Sequence, residues 1–464
     1  MWAGIRWALA VVLSAAASVA AEPPQRPPNV LVILVDDLGY RDLGCQGCVD
    51  FKTPHIDKLA SGGVRLTSGY VSHPYCSPSR AGILTGRYQQ RFGHEHNLRY
   101  DESDVVNGTD VKEVMLPALL GKAGYATTHI GKWHVGAGEP FRPLARGYGE
   151  FFGFLGGGHH YFKADGKNEY GAPLWRGAAA TDTQPTYLTD DFTNEALAFM
   201  ERNKERPFFV LLAYNAPHSP DHVPPRYLES VASIPHKARR RYAGLVRGVD
   251  AGVGKLMAKL EELKLDDETL VVFLSDNGGR RGSSDNRPLR GNKGWLHEGG
   301  LRVPFIWRWP GKLPAGAAYG KPVSSLDVLP TALAQAGVAL PEDLDGVDVL
   351  PHLRGEDKGP PHRTLHWRVC GGEGYAIRHD DYKLVREVAV DRSALFNLAD
   401  DLGEDHDLAA THPEVLAKLE ALHAAWNGTL RKPVWIDSHR QYAVTERRRA
   451  QEAGTRQFPM PWVR

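Results

Sequence analysis

Four cysteines in 464 residues are too few to staple a protein of this size through disulfides, even one bound for an oxidising compartment. An excess of charge is missing as well: 56 Lys and Arg against 55 Asp and Glu leave a formal net charge of +1. That balance excludes a general nucleic-acid binder and a protein held electrostatically to an anionic membrane, so any attraction for an anion has to come from a local site. Long apolar runs are scarce. "WALAVVLSAAASVA" is short for a bilayer span and is followed by the Pro-rich "EPPQRPPN". With Arg6 before it and Ser18-Val19-Ala20-Ala21 after it, residues 1–21 read as a secretory signal peptide rather than a membrane anchor. Export is the expectation: periplasmic or extracellular in a bacterium, lysosomal or secreted in a eukaryote. No other segment is apolar enough to span a membrane, and there is no internal repeat or low-complexity linker.

What is present is a regular alternation. "NVLVILV" (29–35) is a continuous β-branched run, the pattern of a strand buried on both faces of a mainly parallel sheet. "TPHIDKLASGGVRL" reads as a helix stopped at Gly62-Gly63 and followed by a strand. Helix "MLPALLGKAG" precedes strand "YATTHIGKW", and helix "DDFTNEALAFMERN" precedes strand "PFFVLLAYNAP". A long helix over "RRYAGLVRGVDAGVGKLMAKLEELK" then leads into strand "TLVVFLSDNG", and "SSLDVLPTALAQAG" is helical again. This order predicts an α/β fold over residues 22–354, with a largely parallel or mixed central sheet flanked by helices. From about Arg354 the pattern shifts to short alternating strands ("TLHWRV", "GYAIRHDDYKLVREV", "SALFNLADD") and an amphipathic helix, "HPEVLAKLEALHAAW". Residues 355–430 are therefore expected to form a small α+β subdomain with an antiparallel sheet. The basic stretch 431–464 reads as a solvated tail.

Asp36-Asp37 directly follows the first buried strand, and Asp276-Asn277 directly follows "TLVVFLS". Ligands of open α/β sheets bind at the carboxyl ends of strands. One Asp after a strand is ordinarily a turn or a cap. Two oxygen-bearing pairs, each followed closely by glycine, instead suggest a site for a hard cation, Ca²⁺ or Mg²⁺, since neither thiolate nor imidazole accompanies them. Other strand ends deliver Lys132 and His134 ("HIGKWHVG"), His218 ("YNAPHSP") and, from a Gly-rich loop, Lys293. Singly, such residues are solvated charges or structural histidines. Gathered around a cation with Arg80, they would neutralise a tetrahedral oxyanion.

Cys45-Gln46-Gly47-Cys48 spells C-x-x-C within a Gly-rich loop, away from any strand-to-helix junction of redox type, so a local disulfide or none is expected. Cys370 closes a strand-like run and reads as a buried residue. Cys76, in "HPYCSPSRAGILTGRY", stands alone before a helix.

"CSPSRAGILTGRY" resembles the signature of the sulfatase family, in which the first residue of C-x-P-x-R is oxidised to formylglycine. "LVDDLGYRDLG", "GKWH", "APHSP", "FLSDNG" and "GNKGWLHEGGLRVP" match further motifs of that family in the family's order, and "DDYKLV" and "LFNLADDLGEDHDLA" extend the likeness into the C-terminal region. The fold is shared with alkaline phosphatases and phosphonate monoester hydrolases. The resemblance implies that a formylglycine-generating enzyme reads this segment in the unfolded chain and converts the Cys76 thiol to an aldehyde, which hydrates to a geminal diol. One hydroxyl attacks sulfur and the other later expels sulfate, a route closed to a serine. It further implies that Asp36, Asp37, Asp276, Asn277 and the modified Cys76 hold the cation, that Arg80 orients the diol, and that Lys132 and Lys293 bind sulfate oxygens. His134 is implied as the base for elimination and His218 as the proton donor to the leaving alcohol, with these two roles exchangeable. Cysteine phosphatases place their arginine six residues past the cysteine; here that position is Gly82, so the thiolate reading fails. No member of the family set is missing.

His94-Glu95-His96 could form a zinc pair but lies outside this set and reads as structural or rim. His159 and His160, in "GFLGGGHHYF", belong either to the pocket entrance or to ordinary loop. Asn107 and Asn427 begin glycosylation sequons that count only in a eukaryote. The leading expectation is an exported, cation-dependent sulfuric ester hydrolase acting on a sulfated saccharide or other small molecule. A phosphomonoester or phosphonate hydrolase keeps the fold and is separated from it by the extra charge of its substrate. A non-enzymatic binder of sulfated glycans would retain ligand and release no sulfate.

Overall fold

A computed structural model describes Met1, residues 26–388 and residues 390–435. Residues 2–25, which contain all but the first residue of the segment read as a signal peptide, and the last 29 residues of the basic tail (436–464) lie outside the described residues. A ten-stranded sheet forms the centre. Its middle five strands, Thr269–Ser275, Asn29–Val35, Phe208–Ala213, Ala126–Lys132 and Glu150–Phe154, run parallel in that order. Phe305–Arg308 and Val64–Leu66 extend one edge with antiparallel pairings, and Leu174–Arg176 with Ala179–Thr181 close the other as an antiparallel hairpin. The sheet is mixed, as the pattern of the chain led one to expect.

The strand Asn29–Val35 shows why its sequence is apolar throughout. Leu31, Ile33 and Val35 face one core with the helices Leu188–Arg202 and Lys237–Glu262. Val30, Val32 and Leu34 face the other, against the helices Leu116–Lys122 and Val328–Gln335. Side chains alternate along a strand, so burial on both faces requires an unbroken apolar run. Burying one such side chain stabilises by about 1.5–3 kcal/mol.

Register is the feature that matters for function. Leu34 pairs with both Leu274 and Ala213, and Ala213 pairs in turn with Gly131. These four residues stand in one row across the sheet, so the polar residues beyond them emerge together at one edge.

A second sheet of four antiparallel strands, Thr364–Val369, Gly374–His379, Tyr382–Arg386 and Ala394–Asn397, carries the helix Pro413–Asn427. Its joint with the large sheet is ionic and buried. Lys383 Nζ lies 2.8 Å from Glu298 and 3.0 Å from Glu404, while the Tyr70 hydroxyl donates to Glu298 at 2.7 Å. Burial pushes the Glu404 carboxyl up to about 7, whereas Lys383, Arg302 and Arg378 outweigh burial at Glu298 and hold it low. The chemistry of Cys370 differs from the expectation of a buried strand residue. It is only half-buried, one residue past the strand end at Val369, with φ of 54°. The two glycines that follow it turn the chain there, so the strand cannot run on. Cys45 and Cys48 are both free thiols, pushed by burial up to about 12 and 11. Among the described residues, no helix is long and apolar enough to cross a membrane.

His362, on the segment leading into the small sheet, pairs at 2.7 Å with Asp327, whose carboxylate also accepts from the backbone N–H of Ser324 and Val347. Burial lowers the imidazole pKa, but Asp327 outweighs it and holds the value above 6.5. The charged form is thus favoured in the fold. Its contribution is full below the unfolded value of about 6.5 and is lost as pH rises through the raised folded value. Denaturant midpoints measured across that window should fall with rising pH, and His362→Gln should flatten the slope; an unchanged slope would remove this pair from the account.

Candidate active site

The helix Cys76–Thr85 begins at the nucleophile position, after Tyr75 in extended conformation, and all ten of its residues are buried. Cys76 Sγ is 3.5 Å from Asp36 Oδ1 and receives a hydrogen bond from Lys293 Nζ at 3.0 Å. Four residues on, one helical turn, Arg80 returns to the same side. Its Nε donates to Asp276 Oδ2 at 3.0 Å and its Nη1 to the Lys132 carbonyl at 2.9 Å. Lys132, the last residue of its strand, reaches Asp36 Oδ2 at 2.6 Å.

Asp37 turns out of its strand with φ of 67°, a left-handed conformation that Asp tolerates better than most residues. The turn aims its carboxylate at Lys293 Nζ, 2.6 Å away, and at Asn277 Nδ2, 2.7 Å away. Ser275 supports it, accepting from the Leu38 N–H at 3.0 Å and donating to the Asn277 carbonyl at 2.8 Å. His218 follows a cis Ala216-Pro217 bond, with Nε2 3.8 Å from Asp37 Oδ2 and Nδ1 donating to the Ser219 carbonyl at 2.7 Å.

Electrostatics follow from burial. Desolvation and the neighbouring Asp36 raise the Asp276 carboxyl to about 6, while at Asp37 the effect of burial is overcome chiefly by Lys293, with Asn277 adding a hydrogen bond, and the carboxyl is held well below the usual range. Burial and Asp36 push the Cys76 thiol up to about 12. The helix N-terminus, which by itself favours a thiolate, loses to desolvation and to the carboxylates. A neutral thiol here is a poor nucleophile. Burial, helped by Lys293, drops His218 to about 3, and burial with Lys132 and Arg80 takes His134 well below 6.5, so both rings are neutral.

Asp36, Asp37, Cys76, Arg80, Lys132, His218, Asp276, Asn277 and Lys293 thus form one connected cluster. His134 is set apart. Its Nε2 donates to the Leu98 carbonyl at 3.2 Å and its Nδ1 has no hydrogen-bond partner, although three cations of the cluster are close enough to depress it. His94 spans Ser77 Oγ at 2.7 Å and Thr109 Oγ1 at 3.0 Å, and Glu95 pairs with Arg368, so this motif is structural. His159 gives both ring nitrogens to backbone carbonyls, whereas His160 lies among the rings at the rim. Tyr161 escaped the reading of the sequence: its hydroxyl donates to the carbonyls of Asn215 and His218 and holds the His218 loop. A buried tyrosine in an aromatic run carries no signal for that role.

A hard cation fits this donor set. Ligand atoms of Asp36, Asp37, Cys76 and Asp276 all lie within 4.8 Å of one another, and Asn277 Oδ1 is buried without a hydrogen-bond partner. Such an orphaned oxygen beside three carboxylates is what a bound ion would satisfy.

A parallel-centred α/β sheet with an acidic, cation-fitted cluster ringed by Lys132, Lys293 and Arg80 at its carboxyl edge is the arrangement of the phosphatase- and sulfatase-like hydrolases. The sulfatase family model matches residues 28–338, and that of the C-terminal region of N-sulphoglucosamine sulphohydrolase matches residues 291–425. N-acetylgalactosamine-6-sulfatase of Canis lupus familiaris is 37% identical over 375 residues, covering 75% of this chain and 70% of the relative. Human arylsulfatase A is 33% identical over 454 residues, covering 86% and 87%. The solved structure of Ps i-CgsB in complex with k-i-k-neocarrahexaose superposes with a TM-score of 0.84 at 34% identity, covering 95% of this chain and 100% of that one. The chain belongs to the sulfatase family, and is an enzyme that hydrolyses sulfate esters.

Gly131, one residue before Lys132, has φ of 106°, and a Cβ there would sit 2.0 Å from the Ala213 carbonyl oxygen. Gly131→Ala should cost about 1–3 kcal/mol in backbone strain. By moving Lys132 off Asp36, it should also lower turnover at least tenfold. Thermal denaturation and kinetics on one preparation would check both, and wild-type values in either would contradict the geometry.

Proposed function

We propose that the protein is an exported sulfatase acting on a sulfated carbohydrate through a formylglycine made from Cys76 and a bound divalent cation, calcium before magnesium. The observation that carries this reading is the enclosure of Cys76 Sγ between Lys293 Nζ at 3.0 Å and Asp36 Oδ1 at 3.5 Å, within a ring of acidic and amide oxygens. The carbohydrate follows from the relatives, one named for N-acetylgalactosamine and one solved with an oligosaccharide. A formylglycine-generating enzyme is the partner that maturation requires, and the N-terminal segment is the basis for export.

Asp36, Asp37, Asp276 and Asn277 would hold the cation, and beside it a hydrated formylglycine at residue 76 would supply an acidic oxygen nucleophile and a second hydroxyl for release of sulfate. The remaining work falls to side chains. Lys132 and Lys293, each now paired with a carboxylate, turn their ammonium groups to the sulfate oxygens. Arg80, anchored on Asp276 and the Lys132 carbonyl, keeps the first helical turn and its nucleophile in line. His218 has Nδ1 committed to Ser219, so Nε2 is the nitrogen that exchanges a proton with the leaving alcohol. His134 has Nε2 committed to Leu98, which leaves Nδ1 bare to accept the proton in the elimination step.

Protein expressed with a formylglycine-generating enzyme should yield a peptide in which residue 76 has the mass of an aldehyde, and Cys76→Ala should lose aryl sulfate turnover by roughly 10³-fold or more while remaining folded. An intact thiol in fully active enzyme would sink the mechanism. Stripping divalent ions should abolish turnover and lower the melting temperature, and returned calcium should restore both. Asn277→Ala should raise the calcium concentration needed; full activity after exhaustive chelation would rule the cation out.

A further inference from the structure

Rings continue outward from the nucleophile in a line that the reaction itself does not use. The Tyr170 ring centroid lies 6.5 Å from that of His218, and the Tyr170 hydroxyl feels Lys132 and Lys293. His160 follows at 6.1 Å from Tyr170, and His222 stacks on His160 at 5.4 Å with 22° between planes. Phe162, 41% exposed, ends the line at 6.5 Å from His222. These rings come from three separate stretches of chain, 160–162, 170 and 218–222. Helical or strand periodicity therefore does not account for their alignment.

The line opens onto a cavity of about 380 Å³ lined by Phe162, Lys163, Asp221, His222 and Arg241, among others. That volume falls within the range of about 300–1,000 Å³ common to small-ligand clefts. The charges in it are unevenly committed. Asp221 is engaged by Arg280 and Lys163 by Asp165, whereas Arg241 is exposed and has no hydrogen bond or ion pair among the described residues. Arg241 belongs to the basic run Lys237–Arg241 that opens its helix, but Arg239 is buried on Asp42 and Asp50, whereas Arg241 is exposed at the cleft.

We propose that this strip is a second sugar subsite, and that the substrate is an oligosaccharide whose neighbouring sugar bears its own anionic group. The inference rests on the sulfatase reading and narrows it. The C–H faces of a pyranose lie against His160, His222 and Phe162, which offer flat apolar surfaces with polar rims. Arg241 provides the planar fork that matches a sulfate or carboxylate, with Lys163 as an auxiliary point charge. The sulfate to be cleaved sits at residue 76, next to His218 and Tyr170, and the adjoining sugar extends the chain towards Arg241.

The test uses the full-length matured enzyme and three kinds of substrate. One is an aryl sulfate. The second is a panel of galactan- and glycosaminoglycan-derived oligosaccharides whose neighbouring sugar is sulfated or a uronate. The third is matched oligosaccharides with a neutral neighbour. The wild type should show kcat/KM at least tenfold higher on an anionic-neighbour member than on its neutral match, with the difference in KM. Arg241→Ala should lower the ratio of anionic-neighbour to aryl sulfate kcat/KM about tenfold through KM, and Arg241→Lys should recover part of it. His222→Ala should lower that ratio for charged and neutral oligosaccharides alike. Preference for sulfated over uronate neighbours, or the reverse, identifies the anion. An unchanged ratio in Arg241→Ala, equal loss on all three substrates, or no oligosaccharide preferred over the aryl sulfate would overturn the subsite. Failure of the wild type to release sulfate from the aryl sulfate would instead overturn the sulfatase reading.

Discussion

Three carboxylates held together out of water set the terms for everything around them. Asp36, Asp37 and Asp276 are almost completely buried, with ligand atoms no more than 4.8 Å apart. At such separations each pair of like charges repels by roughly 3–4 kcal/mol at an effective dielectric of 20. A fold of ordinary stability, about 5–15 kcal/mol, cannot carry that load uncompensated. Arg80, Lys132 and Lys293 answer it by direct contact, and each is drawn to full protonation by the carboxylates despite burial. The compensation makes the site. Cations that neutralise carboxylates in the resting pocket are already within reach of an incoming oxyanion, and the oxygens they release are those a divalent ion would take.

Lys293 differs from the other two in coming from a loop, where neither helix nor strand fixes it. The same loop runs on to Glu298, whose backbone N–H donates to Glu404 at 2.7 Å and whose carboxylate meets Lys383, Arg302 and the Tyr70 hydroxyl. His297 adds a 2.8 Å contact with Glu387. Buried ion pairs of this kind add little net stability, yet breaking one leaves an uncompensated charge that costs about 3–5 kcal/mol. Their effect is to allow the loop a single arrangement. The small sheet therefore acts on the site at a distance, by fixing the loop that carries the Lys293 ammonium group.

Legibility in the sequence divides along the same physical line. Asn29–Val35 and Thr269–Ser275 are legible because burial on both faces demands an unbroken apolar run, and a polar pair after such a run has to emerge at the sheet edge. Asp36, Asp37, Lys132, Asp276 and Asn277 are legible on that basis, whereas Lys293, in a loop, is legible only through the motif order, which also carries the chemistry implied for Cys76. Strand order is not local information, so the antiparallel edge formed by Phe305–Arg308 and the hairpin Leu174–Thr181 had no signature. Cys370 was misread because a strand-like run does not announce where two following glycines will turn it. The depressed acidity of the Cys76 thiol is equally invisible: a helix start predicts the opposite sign, and burial together with the packed carboxylates reverses it.

The residues that select a substrate belong to the illegible part for a further reason. Asp36, Asp37, Lys132, Asp276 and Asn277 sit at or just past strand ends, where register constrains them, whereas Tyr170, His160, His222 and Arg241 meet from segments far apart in the chain whose sequences carry no common period. An exposed arginine on a helix is ordinarily a solvated charge, and a histidine pair after glycines is ordinarily loop. Only the line of rings running out from His218, with two stacked at 5.4 Å, and the unpartnered guanidinium in the cleft where that line ends distinguish them from that background. Register thus positions one layer of residues at the sheet edge, and loops bring a second layer beside it. The two layers meet at His218, which faces the cation ligands with one nitrogen and the ring strip with its face.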